Sequence, residues 1–349
     1  MAVLILLICG AIIVHELGHF LMAKMAGLEI EEVGIFLPPR VKTLFVWKGT
    51  QFTLNLIPLG GFMKPRVDDD GVSEIYKAPP LPRLVVLSGG ILMNLLAALL
   101  AFTLYFSQWG MPDRSSVIFS NVIEGSPAHR AGIQPFDKVV LVNGTRVETP
   151  QELIDIFGDH RDQEVLLTLD HDGQIKEIAV IPEWNDALKR ATIGAMIVNP
   201  AVKVNAYQSF LYAVQTTADA FISVIKIPFQ PLIARITGQE GGSTGRLAGI
   251  QEMYAAYDQV VKTPTMPLIV ATLYFSALIN ISLAGFNVLP FPALDGGHIM
   301  MTLPEFFRIK IPREAISVAN GVGFIALLLL GLVINLRGLV DSVRSVFGF

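Results

Sequence analysis

The chain alternates between long apolar runs and polar stretches. Residues 1–14 are apolar throughout, His15, Glu16 and His19 then interrupt, and FLMAKMAG (20–27) resumes the run. Residues 84–106, 263–294 and 315–336 carry no charge at all. Runs of about 17–25 apolar residues are long enough to cross the hydrocarbon core as helices. The pattern predicts about four transmembrane helices, at about 1–26, 84–106, 265–289 and 315–336. The 263–294 run also leaves room for a re-entrant piece after its helix. Residues 1–26 read as a membrane helix and not as a signal peptide, because no basic region leads the run and no A-x-A-like site follows it.

The polar stretches have their own patterns. VKTLFVW (41–47) and TQFTLNLIPL (50–59) are β-rich runs joined by Lys48-Gly49, which predicts a hairpin region over 41–64 that ends at Gly60-Gly61. Pro79, Pro80 and Pro82 break the chain before the second helix. Residues 107–203 read as a water-soluble α+β or barrel-like module. Its strand runs are VIFSNVI (117–123), KVVLVNG (138–144), EVLLTLD (164–170) and IKEIAVI (175–181). TPQELIDIFGDH (149–160) predicts one short helix capped by Thr149, and Asp172-Gly173 predicts a hairpin turn. Residues 204–262 hold an amphipathic helix and a glycine-rich loop (238–249). That helix suits either the bilayer surface or the protein's own spans. Residues 263–349 complete the chain as a second membrane part, matching the first at 1–106.

Composition agrees: 52% of residues are hydrophobic and 16% charged, which excludes disorder, a fibrous protein and an ordinary soluble enzyme. A net charge of −4 implies no large basic surface for nucleic acid. Cys9 is the one cysteine, so neither an intrachain disulfide nor a multi-cysteine metal site is possible. Eight Lys and Arg fall in 24–83 and three in 290–314. The bias toward these loops assigns them to the cytoplasm and the 107–203 module to the opposite side.

The ionisable residues in the apolar runs carry the chemistry, since charge at that depth is costly and marks function. In His15-Glu16-Leu17-Gly18-His19 the histidines stand four apart, on one helix face, and can share an ion. Glu16, about 100° around the helix, can reach water at that ion, which is the H-E-x-x-H arrangement of zinc hydrolases. A catalytic zinc takes three protein ligands and leaves one position open. Asp295, which ends the long uncharged run in NVLPFPALDGGH (287–298), is the first candidate for the third ligand and His298 the rival. A helix cap for the residues after it is the alternative role of Asp295. Prolines 290 and 292 break the helix there, and Gly296-Gly297 allow close backbone approach.

The order HELGH (15–19), PLGGFMK (58–64), SGGILMN (88–94), GSPAHRAGIQPFDKVVLVNG (125–144), GRLAGIQ (245–251) and NVLPFPALDGGH (287–298) resembles the site-2 protease family of intramembrane zinc metalloproteases. It is most similar to the bacterial branch that cleaves anti-sigma factors and remnant signal peptides. The resemblance implies a polytopic α-helical membrane protein with a membrane-associated β-hairpin and one inserted PDZ-like α+β domain. It implies zinc held by His15, His19 and Asp295, with Glu16 as general base. Asn287, Gly60, Gly61 and Asn94 would contact substrate, with residues 50–63 offering a strand edge to an unwound peptide. The PDZ-like module, with Ser116–Val122 as its ligand strand, would read peptide C-termini or exclude bulky ectodomains. The setting is the bacterial inner membrane, the partners single-span membrane proteins and the lipid bilayer. A non-proteolytic PDZ membrane adaptor and a metal transporter are the competing readings.

Overall fold

The computed structural model describes residues 2–68, 73–186, 188, 190–230, 250–261 and 266–347. In chain order, α1 (Ala2–Met25) is followed by β1 (Ile30–Trp47) and β2 (Thr50–Pro65), then by α2 (Pro80–Trp109). Next come β3 (Val117–Val122), β4 (Lys138–Val142), α3 (Pro150–Asp159), β5 (Val165–His171), β6 (Gln174–Val180) and β7 (Ala195–Val198). The last part is helical: α4 (Ala206–Lys226), α5 (Ile250–Val261), α6 (Leu268–Asn287), α7 (Asp295–Thr302) and α8 (Arg313–Phe347). Residues 1–106 with 206–349 form one compact unit and residues 107–205 another.

Among the described residues five helices are long and apolar enough to cross a membrane: α1, α2, α4 with its 3-10 extension to Phe229, α6 and α8. The addition is α4, the amphipathic segment. Its small residues Ser209, Ala213 and Thr217 are buried, Phe210, Leu211, Val214 and Ile222 are exposed, and it approaches α6 where a side chain at Gly285 would meet Val224 at 2.5 Å. Helix α2 begins at Pro80, four residues before the uncharged run, because proline needs no hydrogen-bonded N–H in the first turn. The glycine-rich stretch 238–249, and with it most of GRLAGIQ, lies outside the described residues.

The hairpin region is larger than 41–64 and is more than a hairpin. Residues 32–35 pair with 61–64 in antiparallel register and also with 51–54, whose partner numbers rise together. Residues 40–47 pair with 50–55 across the Lys48-Gly49 turn. The two long strands therefore fold over into four segments, ordered 61–65, 30–37, 50–57 and 40–47. They turn at Phe36 (φ 68°) and at Gly60 (φ 76°). Buried Glu32 ties the sheet together, accepting from Thr53 Oγ1 and from Arg40 at 2.5 Å each. The segment 50–57 is interior, so it has no edge to give a peptide. The outer segments are 61–65 and 40–47, and of the two 61–65 borders the cavity of the candidate site.

In the second unit the strand order is β7-β3-β4-β5-β6. Phe119, Leu153, Phe157, Leu167 and Leu169 are fully or almost fully buried between the sheet and α3. Thr149 and Glu152 close a capping box on α3. Asp172 (φ 50°) and Gly173 (φ 85°) make the β5–β6 turn. Strand β3 is paired on both sides, by β7 and β4, so Ser116–Val122 cannot be a ligand strand. The outer strands are β6 and β7, and of the two β7 lies beside α3.

Helices α1 and α2 touch backbone to backbone. An added Cβ at Gly18 would lie 2.2 Å from the Gly89 carbonyl oxygen, and one at Gly89 would lie 2.5 Å from that of Gly18. Gly18→Ala should lower stability by about 1–3 kcal/mol through overpacking. Gly10→Ala, where nothing lies within 4 Å, should be neutral or stabilising by up to about 1 kcal/mol. Thermal unfolding in detergent compares the two.

Candidate metal centre

His15 and His19 lie one turn apart on α1, both 7% exposed. Their rings meet edge to face with centroids 4.6 Å apart, and their Nε2 atoms are 3.1 Å apart. Asp295 Oδ2 stands 3.1 Å from His15 Nε2 and 3.3 Å from His19 Nε2. Among the described residues these three form the cluster able to hold a metal ion, and His298 is outside it.

A stripe of α2 orients the imidazoles. Val86, Gly90 and Asn94 recur every four residues, one turn apart on the same face. His19 Nδ1–H donates to the Val86 carbonyl at 2.8 Å, which leaves a lone pair on Nε2. The Asn94 side-chain amide is 3.2 Å from His15 Nδ1. A ligating Nε2 requires the proton on Nδ1, and the amide oxygen of Asn94, buried without another partner, is the group that would accept it after a half-turn of the amide. Asn94 is fully buried behind His15, a place for a positioning group and not for a substrate contact. Between them a Cβ at Gly90 would lie 2.5 Å from His15 Cε1 and 2.6 Å from His19 Nε2, so only glycine fits.

The third ligand comes from a broken helix. After α6 the chain runs irregularly to Leu294, which occupies the cap position of α7 without a side-chain cap. Asp295 is thus the first residue of α7 and its carboxylate does no capping. Side chains at Gly296 and Gly297 would strike the carbonyls of Val288, Leu289 and Phe291 at 2.1–2.3 Å. Their service is to let α7 fold back on its own loop, a step removed from the metal. Asn320 Oδ1 of α8 accepts the Ala293 N–H at 3.1 Å and fixes the loop.

The donor set fits zinc. With both Nδ1 atoms protonated, two imidazole lone pairs and a carboxylate oxygen converge with no hydrogen among them, and Asp295 Oδ2 is a buried acceptor lacking a hydrogen-bond donor. Such a group is repulsive unless a cation lies at its centre. Tetrahedral ligands about 2.0–2.1 Å from zinc are about 3.3–3.4 Å apart, close to the separations observed.

The cluster opens on a cavity of about 370 Å³ also lined by Glu16, Met63, Arg83, Asn287 and His298. Glu16 stands beside the ligands, its stem 3.7 Å from where a Gly61 side chain would begin. Gly61 pairs with Ile35, and Gly60 packs near Ile12 of α1. Asn287 Nδ2 donates to the Leu283 carbonyl at 2.9 Å, leaving one amide hydrogen free. Arg83 is the functional residue that sequence reading missed. It is buried, pairs with Glu305 at 2.6 Å, and donates to the carbonyls of Ile75, Tyr76 and Ala78. It thereby ties the α7 side of the centre to α2. Its signal was available: it is the one charged residue within the sequence of α2.

Gly90→Ala should weaken zinc binding about 10–100-fold, the usual effect of disturbing a ligand's support, as read by chelator competition. Arg83→Ala strands Glu305 beside three freed carbonyls and should cost about 3–5 kcal/mol, measured by thermal unfolding of the zinc-loaded protein.

Comparisons with known proteins identify the family. A zinc metalloprotease relative from Clostridium perfringens, carrying the name "Putative zinc metalloprotease", is 27% identical over 335 residues, covering 94% of this chain and 95% of its own. A Campylobacter jejuni protein of the same description is 30% identical, covering 93% and 89%. A membrane metalloprotease of Arabidopsis thaliana chloroplasts is 27% identical, covering 92% and 74%. A PDZ domain of an SdrC-like protein from Listeria monocytogenes is similar over 24% of this chain and 88% of its own, with 19% identity and a TM-score of 0.23, too low to bear on the fold. The sequence model described as peptidase family M50 matches residues 3–330, and the chain belongs to that family of zinc metalloproteases.

Proposed function

We propose that this zinc metalloprotease cleaves peptide bonds within the membrane, in transmembrane segments of single-span proteins such as anti-sigma factors or remnant signal peptides, as a step of regulated intramembrane proteolysis. The observation that carries the reading is the position of the donor set: His15 and His19 lie midway along an apolar helix with Glu16 beside them and Asp295 brought to them by a re-entrant loop. Zinc bound there lowers the pKa of water and polarises a carbonyl. Glu16 takes the proton from water in the cavity and returns it to the departing amine. Asn287 directs its free amide hydrogen to the carbonyl oxygen as negative charge develops on it.

A helical substrate keeps its backbone groups paired and hides the scissile bond, so it must unwind at the centre. The freed N–H and C=O groups then need partners. Segment 61–65 supplies them by strand addition: it pairs on one side only, and Met63 and Pro65 line the cavity. Gly61, within this edge, keeps the peptide close to Glu16. Gly60 makes the turn that sends the edge along α1.

The Lys and Arg bias of 24–83 and 290–314 supports a cytoplasmic side for the sheet and the α7 loop, in a bacterial inner membrane. The 107–205 unit is then extracytoplasmic. In this topology α1, α2, α6 and α8 cross the membrane and α4 does not. The unit reads as PDZ-like, with a peptide C-terminus added to the open edge of β7 beside α3.

The test is cleavage of single-span peptides by the reconstituted, zinc-loaded protein. Glu16→Gln should retain zinc and lose about 10²–10⁴-fold in rate, the usual contribution of a general acid–base. The cut should map inside the apolar segment. Cuts confined to a soluble ectodomain, or undiminished cleavage by the Glu16→Gln protein, would overturn the reading.

A further inference from the structure

Helix α1 has a second functional face. Opposite the metal ligands a groove of about 480 Å³ is lined by Val14, Leu17 and Leu21 of α1, Phe45 and Trp47 of β1, and Met93 of α2. Its walls are apolar. The strand that forms its outer lip is exposed on both faces, with Val41, Leu44, Phe45, Val46 and Trp47 all open.

Two cations crown one end of this groove. Lys24 Nζ sits over the Phe20 ring at 5.8 Å and Lys48 Nζ over the Trp47 ring at 4.9 Å. Lys24 also donates to the Lys48 carbonyl at 3.2 Å, which joins the end of α1 to the sheet's turn. Neither lysine forms an ion pair among the described residues. The acids of the sheet are engaged elsewhere: Glu29 with Arg66, Glu31 with Lys64 and Glu32 with Arg40. The groove therefore ends in two uncompensated positive charges.

We propose that the groove is a binding site for one anionic phospholipid, its phosphate held by Lys24 and Lys48 and an acyl chain lying along α1 toward Val14 and Met93. Length supports the assignment. From Val14 to Lys24 the helix rises about 15 Å at 1.5 Å per residue, the thickness of one leaflet of an approximately 30 Å hydrocarbon core. Charge supports it as well: lysines at a helix end, beside a tryptophan, mark the headgroup level. A substrate helix would match the apolar walls but would leave both lysines unpaired.

The experiment uses the full-length chain with Trp109→Phe and Trp184→Phe, so that Trp47 is the sole tryptophan of the three in the sequence. The protein is reconstituted into two sets of vesicles of equal phosphatidylglycerol content and equal bromine content. In one set the bromines are on the phosphatidylglycerol chains, in the other on phosphatidylcholine. Trp47 fluorescence should be quenched preferentially by the brominated anionic lipid, with a relative association constant at least about tenfold above the neutral one. Each lysine near an anionic surface is worth about fivefold. Lys24→Gln and Lys48→Gln should each remove about that factor, and the double variant should show no preference while keeping the ordinary quenching of a lipid-exposed tryptophan. Equal quenching in the two sets would overturn the proposal, as would a preference that survives the double variant. Weak quenching from both sets would show a groove filled by protein and would also overturn it.

Discussion

The structure depends on three electron pairs brought to one point on an otherwise apolar helix. His15 Nε2, His19 Nε2 and Asp295 Oδ2 lie 3.1–3.3 Å apart, and with both Nδ1 atoms protonated a cation at their centre makes that arrangement favourable. The surrounding architecture keeps the pairs aimed. The stripe Val86, Gly90 and Asn94 on α2 backs both imidazoles: the Val86 carbonyl takes the His19 Nδ1–H, the Asn94 amide lies against His15 Nδ1, and the space at Gly90 admits no side chain beside the rings. That stripe reaches α1 only because Gly18 and Gly89 let the two backbones meet. The close crossing of the helices is thus part of the metal site, although neither glycine touches a ligand.

The carboxylate is supplied by a different device. A continuous helix could not turn Asp295 inward at this depth, so the chain breaks at the prolines and restarts as α7. The broken backbone is protected by the protein, as it must be in an apolar solvent: Asn320 takes the Ala293 N–H, and Gly323 of α8 comes so close to the loop that a Cβ would lie 2.5 Å from the Pro292 oxygen. Arg83 and Glu305 close the other side. Their 2.6 Å pair is buried and has further partners in three carbonyls, the condition under which a buried ion pair is tolerated.

Much of the centre was legible in the sequence, for reasons that are local. His15 and His19 share a face through helix geometry alone, and Asp295 stood out as an acid ending a long uncharged run. Gly90 and Asn94 were visible within SGGILMN, but the job of Asn94 was not, since no pattern shows that its amide faces His15 Nδ1. The Val86 contact has no side-chain signature because the acceptor is a carbonyl. Arg83 and Glu305 are 222 positions apart, and only the fold unites them. The sheet was misjudged for a related reason. Alternation locates strands but not their order, so all of 50–63 looked like an edge when only its end, 61–63, lies on one and the fold places 50–57 between 30–37 and 40–47. The same holds for β3, which becomes interior once β7 returns from more than seventy residues down the chain to pair with it.

The two faces of α1 impose opposite requirements, and one helix meets both by spacing. The face with His15, Glu16 and His19 borders a cavity with polar lining and must admit water for hydrolysis. The face with Val14, Leu17 and Leu21 is apolar and borders a groove with almost wholly apolar walls, which an apolar filler suits better than water does. The interior of the sheet cannot cover that second face alone: the 40–47 lip stands away from α1 and leaves the groove. A lipid chain is the filler that a membrane provides without further protein, and the lysines at the groove's end select which lipid it is. The geometry that makes α1 a metal-binding helix therefore creates the need for its lipid-facing partner, and Lys24, one turn beyond the last ligand's neighbours, is where the two functions meet.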